Sequence, residues 1–232
     1  MPLPLLEVPT YELDLPSSGK KVRFRPFLVK EHKVLLTMSE ASEDEVIRIV
    51  NEIVDVCTFN KLNVHDLPHF DIEYIFMQLR AKSISEKVEV VITCTECKNS
   101  YDSSFNIDNL LVEKNPDHND KIMITNDIGI EFKYPKFDSV VSVYESDSTE
   151  EVFNMVKKSI KGIFQNDQYW EADMQTNEEL DAFLNNLTKE QFDKIETFFV
   201  TSPKVVQRVE SDCPHCSHHN ISRIVGLQNF FV

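Results

Sequence analysis

Apolar and polar positions alternate around Leu13 and Leu15 and again around Val22 and Phe24, with Pro16-Ser17-Ser18-Gly19 between the two runs. Two period-two runs on either side of a turn-forming cluster predict a β-hairpin. Pro26 closes it, and Val29 to Met38 reads as a helix with Val34, Leu35 and Met38 along one side. Ser42-Glu43-Asp44-Glu45 has the spacing of a capping box, in which the serine hydroxyl and the Glu45 carboxylate satisfy amides that a first helical turn leaves unpaired. Val46, Val50, Ile53 and Cys57 then recur as one helical stripe, which makes Cys57 a buried, inert thiol. A third helix is expected to begin near Asp71, placed as its cap, with Ile72, Ile75, Phe76 and Leu79 on the buried face.

From Lys87 the period returns to two. Val88, Val90 and Ile92 lead to Cys94, and the stretch Tyr101 to Ile107 follows Cys97. The end of the chain repeats this form: Val205, Val206 and Val209 lead to Cys213, and Ile221 to Leu227 leaves Cys216. Between these stretches lie a polar break at 113–120 and a short hairpin candidate, Ile122–Thr125 and Ile128–Phe132 around Asn126-Asp127. Three helical segments follow, each opened by a capping-box spacing: Ser148 with Glu151, Thr176 with Glu179, and Thr188 with Gln191. Their apolar stripes are Val152/Met155/Val156, Leu180/Phe183/Leu184 and Phe192/Ile195/Phe199. The pattern predicts an α+β fold, with N-terminal helices and short β-hairpins carrying a discontinuous, zinc-ribbon-like four-cysteine site. Residues 1–111 and 201–232 would share the cysteine-bearing lobe, and 112–200 would be an inserted, mainly helical lobe.

Each cysteine pair has the form strand, Cys-x-x-Cys, strand: Cys94-Thr95-Glu96-Cys97 and Cys213-Pro214-His215-Cys216. A two-residue gap lets both sulfurs point at one centre, and two such turns complete a tetrahedral thiolate set at about 2.3 Å per bond. Cys94, Cys97, Cys213 and Cys216 are therefore the expected ligands of one structural zinc ion. The 115 residues between Cys97 and Cys213 are far more than a simple ribbon needs, so the joining of the halves rests on the fold. Iron in a rubredoxin-like site is the alternative, because sulfur ligands alone do not separate the two metals. A redox dithiol should instead open a helix in a βαβ unit. His215, His218 and His219 crowd the second pair and read as exposed turn residues or outer donors. With four thiolates no position remains open for water, so the metal is not expected to be catalytic.

The other candidates for chemistry are weak. Glu43, Asp44 and Glu45, like Glu178 and Glu179, sit in first helical turns and read as caps matched to the helix dipole. His65 and His69 frame Pro68, which favours a loop there. Lys20, Lys21, Arg23 and Arg25 make the densest cationic island, a solvated strand face or a docking edge. The formal net charge is −15, which opposes broad phosphate contact and makes nucleic acid a poor default partner. A zinc-ribbon module binding nucleic acid would have to use that island with Phe24. Four glycines and no phosphate-binding motif argue against a nucleotide loop. No apolar run is long enough to span a membrane and the N-terminus lacks a leader pattern, so the chain reads as soluble and cytoplasmic, without a small-molecule substrate.

The run Leu15 to Lys33 (LPSSGKKVRFRPFLVKEHK), the run Phe70 to Ser83 (FDIEYIFMQLRAKS), the two cysteine clips, and the closing Gly226-Leu227 with Phe230-Phe231 resemble the baseplate hub assembly protein family of T-even-type tailed bacteriophages. The resemblance is weakest at 112–200. It implies a viral, non-enzymatic protein that helps build the hub of a contractile-tail baseplate in the host cytoplasm, with hub or tail proteins as partners and the virion tail baseplate as the second expected location. The apolar end, Leu227 with Phe230, Phe231 and Val232, is then expected to serve as a docking element rather than as core.

Overall fold

In a computed structural model that describes residues 6–36, 42–107, 110–146 and 148–225, the first alternating runs pair as an antiparallel hairpin, β1 (Tyr11–Asp14) and β2 (Lys21–Phe24), with Leu13 opposite Val22. Gly19 supplies the left-handed backbone (φ 68°) that the turn requires, and its amide donates to the Leu15 carbonyl at 2.7 Å. Helix α1 (Val29–Leu35) follows, and its expected apolar side does not form. Val34 is exposed, Leu35 is only half-buried, and Met38 lies outside the described residues. The residue that α1 buries is Glu31, whose carboxylate accepts from the Arg25 guanidinium and the Leu28 amide, both at 2.8 Å. An ion pair anchors this helix where a stripe was expected.

Helix α2 (Glu43–Cys57) turns Ile49, Val50, Ile53, Val54 and Cys57 into the core, as the stripe predicts. Helix α3 (His69–Ser83) is buried nearly all round, with Phe70, Ile72, Ile75, Phe76, Met77 and Leu79 fully enclosed, and is the central element of its core. Two expectations change here. Pro68 is the residue before the helix, so His69 is its buried first residue, and His65 sits in a 3₁₀ turn, Val64–Asp66; neither is in an open loop. Asp71 does not cap α3 but lies inside its first turn, fully buried, where its carboxylate accepts from the amide of Ser17 at 3.0 Å and from the Ser17 hydroxyl.

Strands β3 (Lys87–Thr93) and β4 (Ser100–Asn106) form an antiparallel pair that leads into and out of the first clip. A short strand, β5 (Leu111–Glu113), comes next. The sheet that follows has the order β6 (Lys121–Met123), β7 (Ile128–Phe132), β8 (Ile160–Gln165), β9 (Gln168–Glu171), all antiparallel. It is accompanied by α4 (Phe137–Ser146), α5 (Thr149–Ser159), α6 (Asn177–Asn185) and α7 (Lys189–Thr201). Ile130, Phe132, Val156, Ile160, Leu180, Leu184, Ile195 and Phe198 make the core between them. Helix remains the larger part of this segment, but β8, β9 and α4 were not foreseen. Strand β8 begins at the residue after α5 ends, with no turn residues between, so the helical stripe hides the change of period. Finally β10 (Lys204–Asp212) and β11 (His219–Val225) pair around the second clip, and β10 takes β5 on its other edge.

The chain divides into two compact units, Met1–Glu113 with Lys204–Val232, and Lys114–Pro203. The divisions fall two or three residues from 111/112 and 200/201 because β5 pairs with the start of β10. The fold is mixed α and β, small antiparallel sheets with helices.

Candidate metal centre

Both clips are built by the same local device. After Cys94 and after Cys213 the backbone turns so that the amides of Lys98 and Ser217 donate back to the carbonyls of Cys94 and Cys213 at 3.1 and 2.8 Å. The amides of Cys94 and Cys213 themselves donate to the carbonyls of Asn99 and His218, each at 2.9 Å. Lys98 and Ser217 both sit in the left-handed region at φ 59°, the reversal that sends the outgoing strand back beside the incoming one. Each turn thereby places two thiols on its inner side.

The topology brings the two turns together. Cys94 Sγ lies 3.7 Å from Cys216 Sγ, Cys97 Sγ lies 3.6 Å from Cys213 Sγ, and all four sulfurs are within 4.8 Å of one another. A tetrahedron with metal–sulfur bonds of about 2.3 Å has sulfur–sulfur edges of about 3.8 Å. The cross-clip pairs fit that edge, so the donor set and its spacing can hold one four-coordinate metal ion. Cys94 and Cys213 are buried, Cys97 is half-buried and Cys216 is exposed. For Cys94, burial opposes ionisation, but the amide of Cys97, the Asn220 side chain and the amide of Glu96 outweigh it and draw the thiol down to about 6. Cys216 goes the other way: the His218 amide favours its thiolate, while loss of water and the sulfurs of Cys97, Cys213 and Cys94 push it up to about 12. A cation at the centre removes that mutual repulsion, since metal binding and thiol deprotonation are linked.

Asn220, on β11, is the residue that cysteine spacing does not reveal. It is 1% exposed, and its Oδ1 accepts from the amide and the hydroxyl of Thr95 at 3.0 and 3.1 Å. Its Nδ2 lies 3.5 Å from Cys94 Sγ, 3.1 Å from the Tyr101 hydroxyl and 3.1 Å from the His218 carbonyl. Tyr101 in turn meets the Ser211 hydroxyl at 2.8 Å. A visible signal was present: Tyr101 and Asn220 stand at the same offset after Cys97 and Cys216.

The remaining candidates find ordinary roles. None of His215, His218 and His219 joins the sulfur cluster among the described residues; His219 Nδ1 is 2.8 Å from the Asp212 carboxylate. Cys57 is apart from the cluster and fully buried, and burial pushes its thiol up to about 11. The Glu45 carboxylate accepts from the Ser42 amide at 3.4 Å and that of Glu179 from the Thr176 amide at 2.9 Å, as caps do. Ser148 caps α5 by accepting from the Glu150 amide at 3.2 Å, one residue before the expected Glu151. Lys20, Lys21 and Arg23 are exposed, whereas Arg25 is committed to Glu31.

The family described as T4 bacteriophage base plate protein matches residues 8–232. No curated protein and no solved structure matches the chain.

Proposed function

The chain belongs to the T4 bacteriophage base plate protein family, and from that premise we propose that it is a non-enzymatic protein that helps build the hub of a contractile-tail baseplate through protein–protein contacts, with Cys94, Cys97, Cys213 and Cys216 holding a structural zinc ion. The family match across residues 8–232 is the observation that carries this reading. The four-sulfur cluster supports the absence of catalysis at the metal, since four thiolates fill a tetrahedral shell and leave no position for water or substrate. In this reading the ion ties the middle of the chain to its last hairpin, and Lys114–Pro203 is an inserted lobe presented to neighbouring subunits. Assembly would take place in the host cytoplasm, with the tail baseplate as the final location. No helix among the described residues is long and apolar enough to cross a membrane. The proposed docking tail at Leu227, Phe230, Phe231 and Val232 lies outside the described residues.

A tagged chain expressed during infection and recovered with its bound proteins for mass spectrometry tests the assignment. Hub or tail baseplate proteins should co-purify, and their absence while the tagged chain is folded would overturn it. Elemental analysis of the purified chain should give about one zinc ion per molecule; iron in its place would favour the electron-carrier alternative. A shift of DNA or RNA at low salt would favour the nucleic-acid-binding alternative instead.

A further inference from the structure

The two clips align position by position, and although only the cysteines are identical between 94–101 and 213–220, two of the differences are complementary. Cys94 corresponds to Cys213, Cys97 to Cys216, Lys98 to Ser217, and Tyr101 to Asn220. The residue after the first cysteine is Thr95 in one clip and Pro214 in the other. Thr95 brings an amide N–H to the turn between the clips, and although the residue is exposed, that N–H has a protein acceptor. The Oδ1 of Asn220, reaching across from the opposite hairpin, accepts it. Pro214 has no N–H to satisfy, and the side chain at the equivalent crossing position is Tyr101, which turns its hydroxyl to Ser211. Asn220 thus connects the first clip to the second hairpin through the Thr95 amide, the Thr95 hydroxyl and the Cys94 sulfur together.

Resting on the metal reading above, we propose that Asn220 is the positioning residue of the site: it holds the two clips in register before the ion arrives and directs an N–H at the Cys94 sulfur, so that Cys94 is offered as an oriented thiolate. The amide's geometry supports this. Its oxygen is fully used by Thr95, which fixes the rotation of the side chain and obliges the NH₂ to face Cys94, Tyr101 and the His218 carbonyl. A side chain 1% exposed and held by partners on two hairpins has no freedom to turn away. A thiolate that receives a directed N–H carries less unbalanced charge, which favours packing four sulfurs around one dication.

Zinc affinity by chelator competition, with the cobalt-substituted absorption spectrum beside it, tests this on the full chain. Asn220→Asp keeps the shape and the acceptor for Thr95 but places an anionic oxygen against Cys94, and Asn220→Ala removes the donor and the acceptor altogether. Both are expected to lose about 10- to 100-fold in zinc affinity, with the sulfur-to-cobalt charge-transfer band retained and moved to lower energy. Thr95→Val removes one bond to Oδ1 without touching the N–H that faces Cys94, and is expected to stay within about threefold of the native affinity, less than any change typical of lost metal-supporting contacts. Native affinity and spectrum in whichever Asn220 variant folds would overturn the positioning role alone. An equal loss in Thr95→Val would overturn it too, by showing that the network only supports the fold. A native chain that takes up neither zinc nor cobalt would overturn this inference and the metal reading together.

Discussion

His118 packs between Tyr134 and Phe198, with ring centroids 5.4 and 5.0 Å away, and its Nδ1 is 2.9 Å from the Thr201 hydroxyl. Its Nε2 is buried with no hydrogen-bond partner among the described residues. Burial lowers the pKa of the ring below 6.5, against a smaller opposing effect of Asp120. The folded state therefore binds a proton less readily than the unfolded chain. The stability contributed by neutral His118 is fully present above the unfolded value of 6.5 and is lost as the pH falls from there through the lower folded value. Trp170 is the single tryptophan of the chain and lies in the same unit, so its fluorescence reads this unit directly. The urea midpoint followed by Trp170 should hold steady above about pH 6.5 and drop below it, where the unfolded imidazole takes up a proton that the folded one resists. In His118→Gln, which does not titrate, the drop should vanish; an unchanged slope would show that His118 is not responsible. Nothing in the local pattern marks this residue, because its neighbours Tyr134 and Phe198 come from distant segments. Asp71 teaches the same lesson, since its partner Ser17 is 54 residues away. Sequence locates an acid at a helix start, but only the fold reveals whether it caps that helix or ties down another turn.

Helix starts are the most legible elements because both members of a capping box lie within four residues. Thr176 accepts from the Glu179 amide at 3.2 Å while Glu179 accepts from the Thr176 amide at 2.9 Å, and Thr188 and Gln191 repeat the exchange at 3.3 and 2.9 Å. Thr176→Ala should cost about 1 kcal/mol, measured as a shift of the urea midpoint with unchanged slope, because it leaves an amide of the first turn of α6 without its acceptor. No measurable shift would show that solvent replaces the hydroxyl without loss. The clips were legible for a similar reason: their spacing, flanking alternation and turn length are all local. What joins them is not local, and the 115 intervening residues carry no sign of it. Strands β8 and β9 escaped because a helix precedes β8 without a break and because glycine supports their packing. Gly162 lies under the Tyr169 ring and Gly129 under that of Phe164, where an added Cβ would come within 2.3 and 2.2 Å of ring atoms. A glycine that serves a cross-strand aromatic looks, in a helical window, like a simple breaker.

The chain has two compact units, and the four sulfurs belong to only one of them. That unit combines Met1–Glu113 with Lys204–Val232, while Trp170 and the cluster around Ile130, Phe132, Ile195 and Phe198 belong to Lys114–Pro203. Closing a loop across an insert of that length costs only slightly more than closing a shorter one, because the entropy grows with the logarithm of length. The ion can therefore join two distant hairpins without requiring the insert to unfold and refold with them. A ligand that binds only the folded form of one unit adds stability to that unit, about 4 kcal/mol when present at a thousand times its dissociation constant. Calorimetry of the metal-loaded chain should show two transitions. A chelator should move one of them to lower temperature and leave the transition seen by Trp170 fluorescence in place, and Cys94→Ser or Cys213→Ser should reproduce the chelator's effect. Acid should also separate them by mechanism, since metal release follows protonation of thiolates, whereas the loss in the Trp170 unit follows His118 and disappears in His118→Gln. If chelation instead carries the Trp170 transition down with the other, the two cores unfold as one, and the ion stabilises the insert as well as the hairpins it joins.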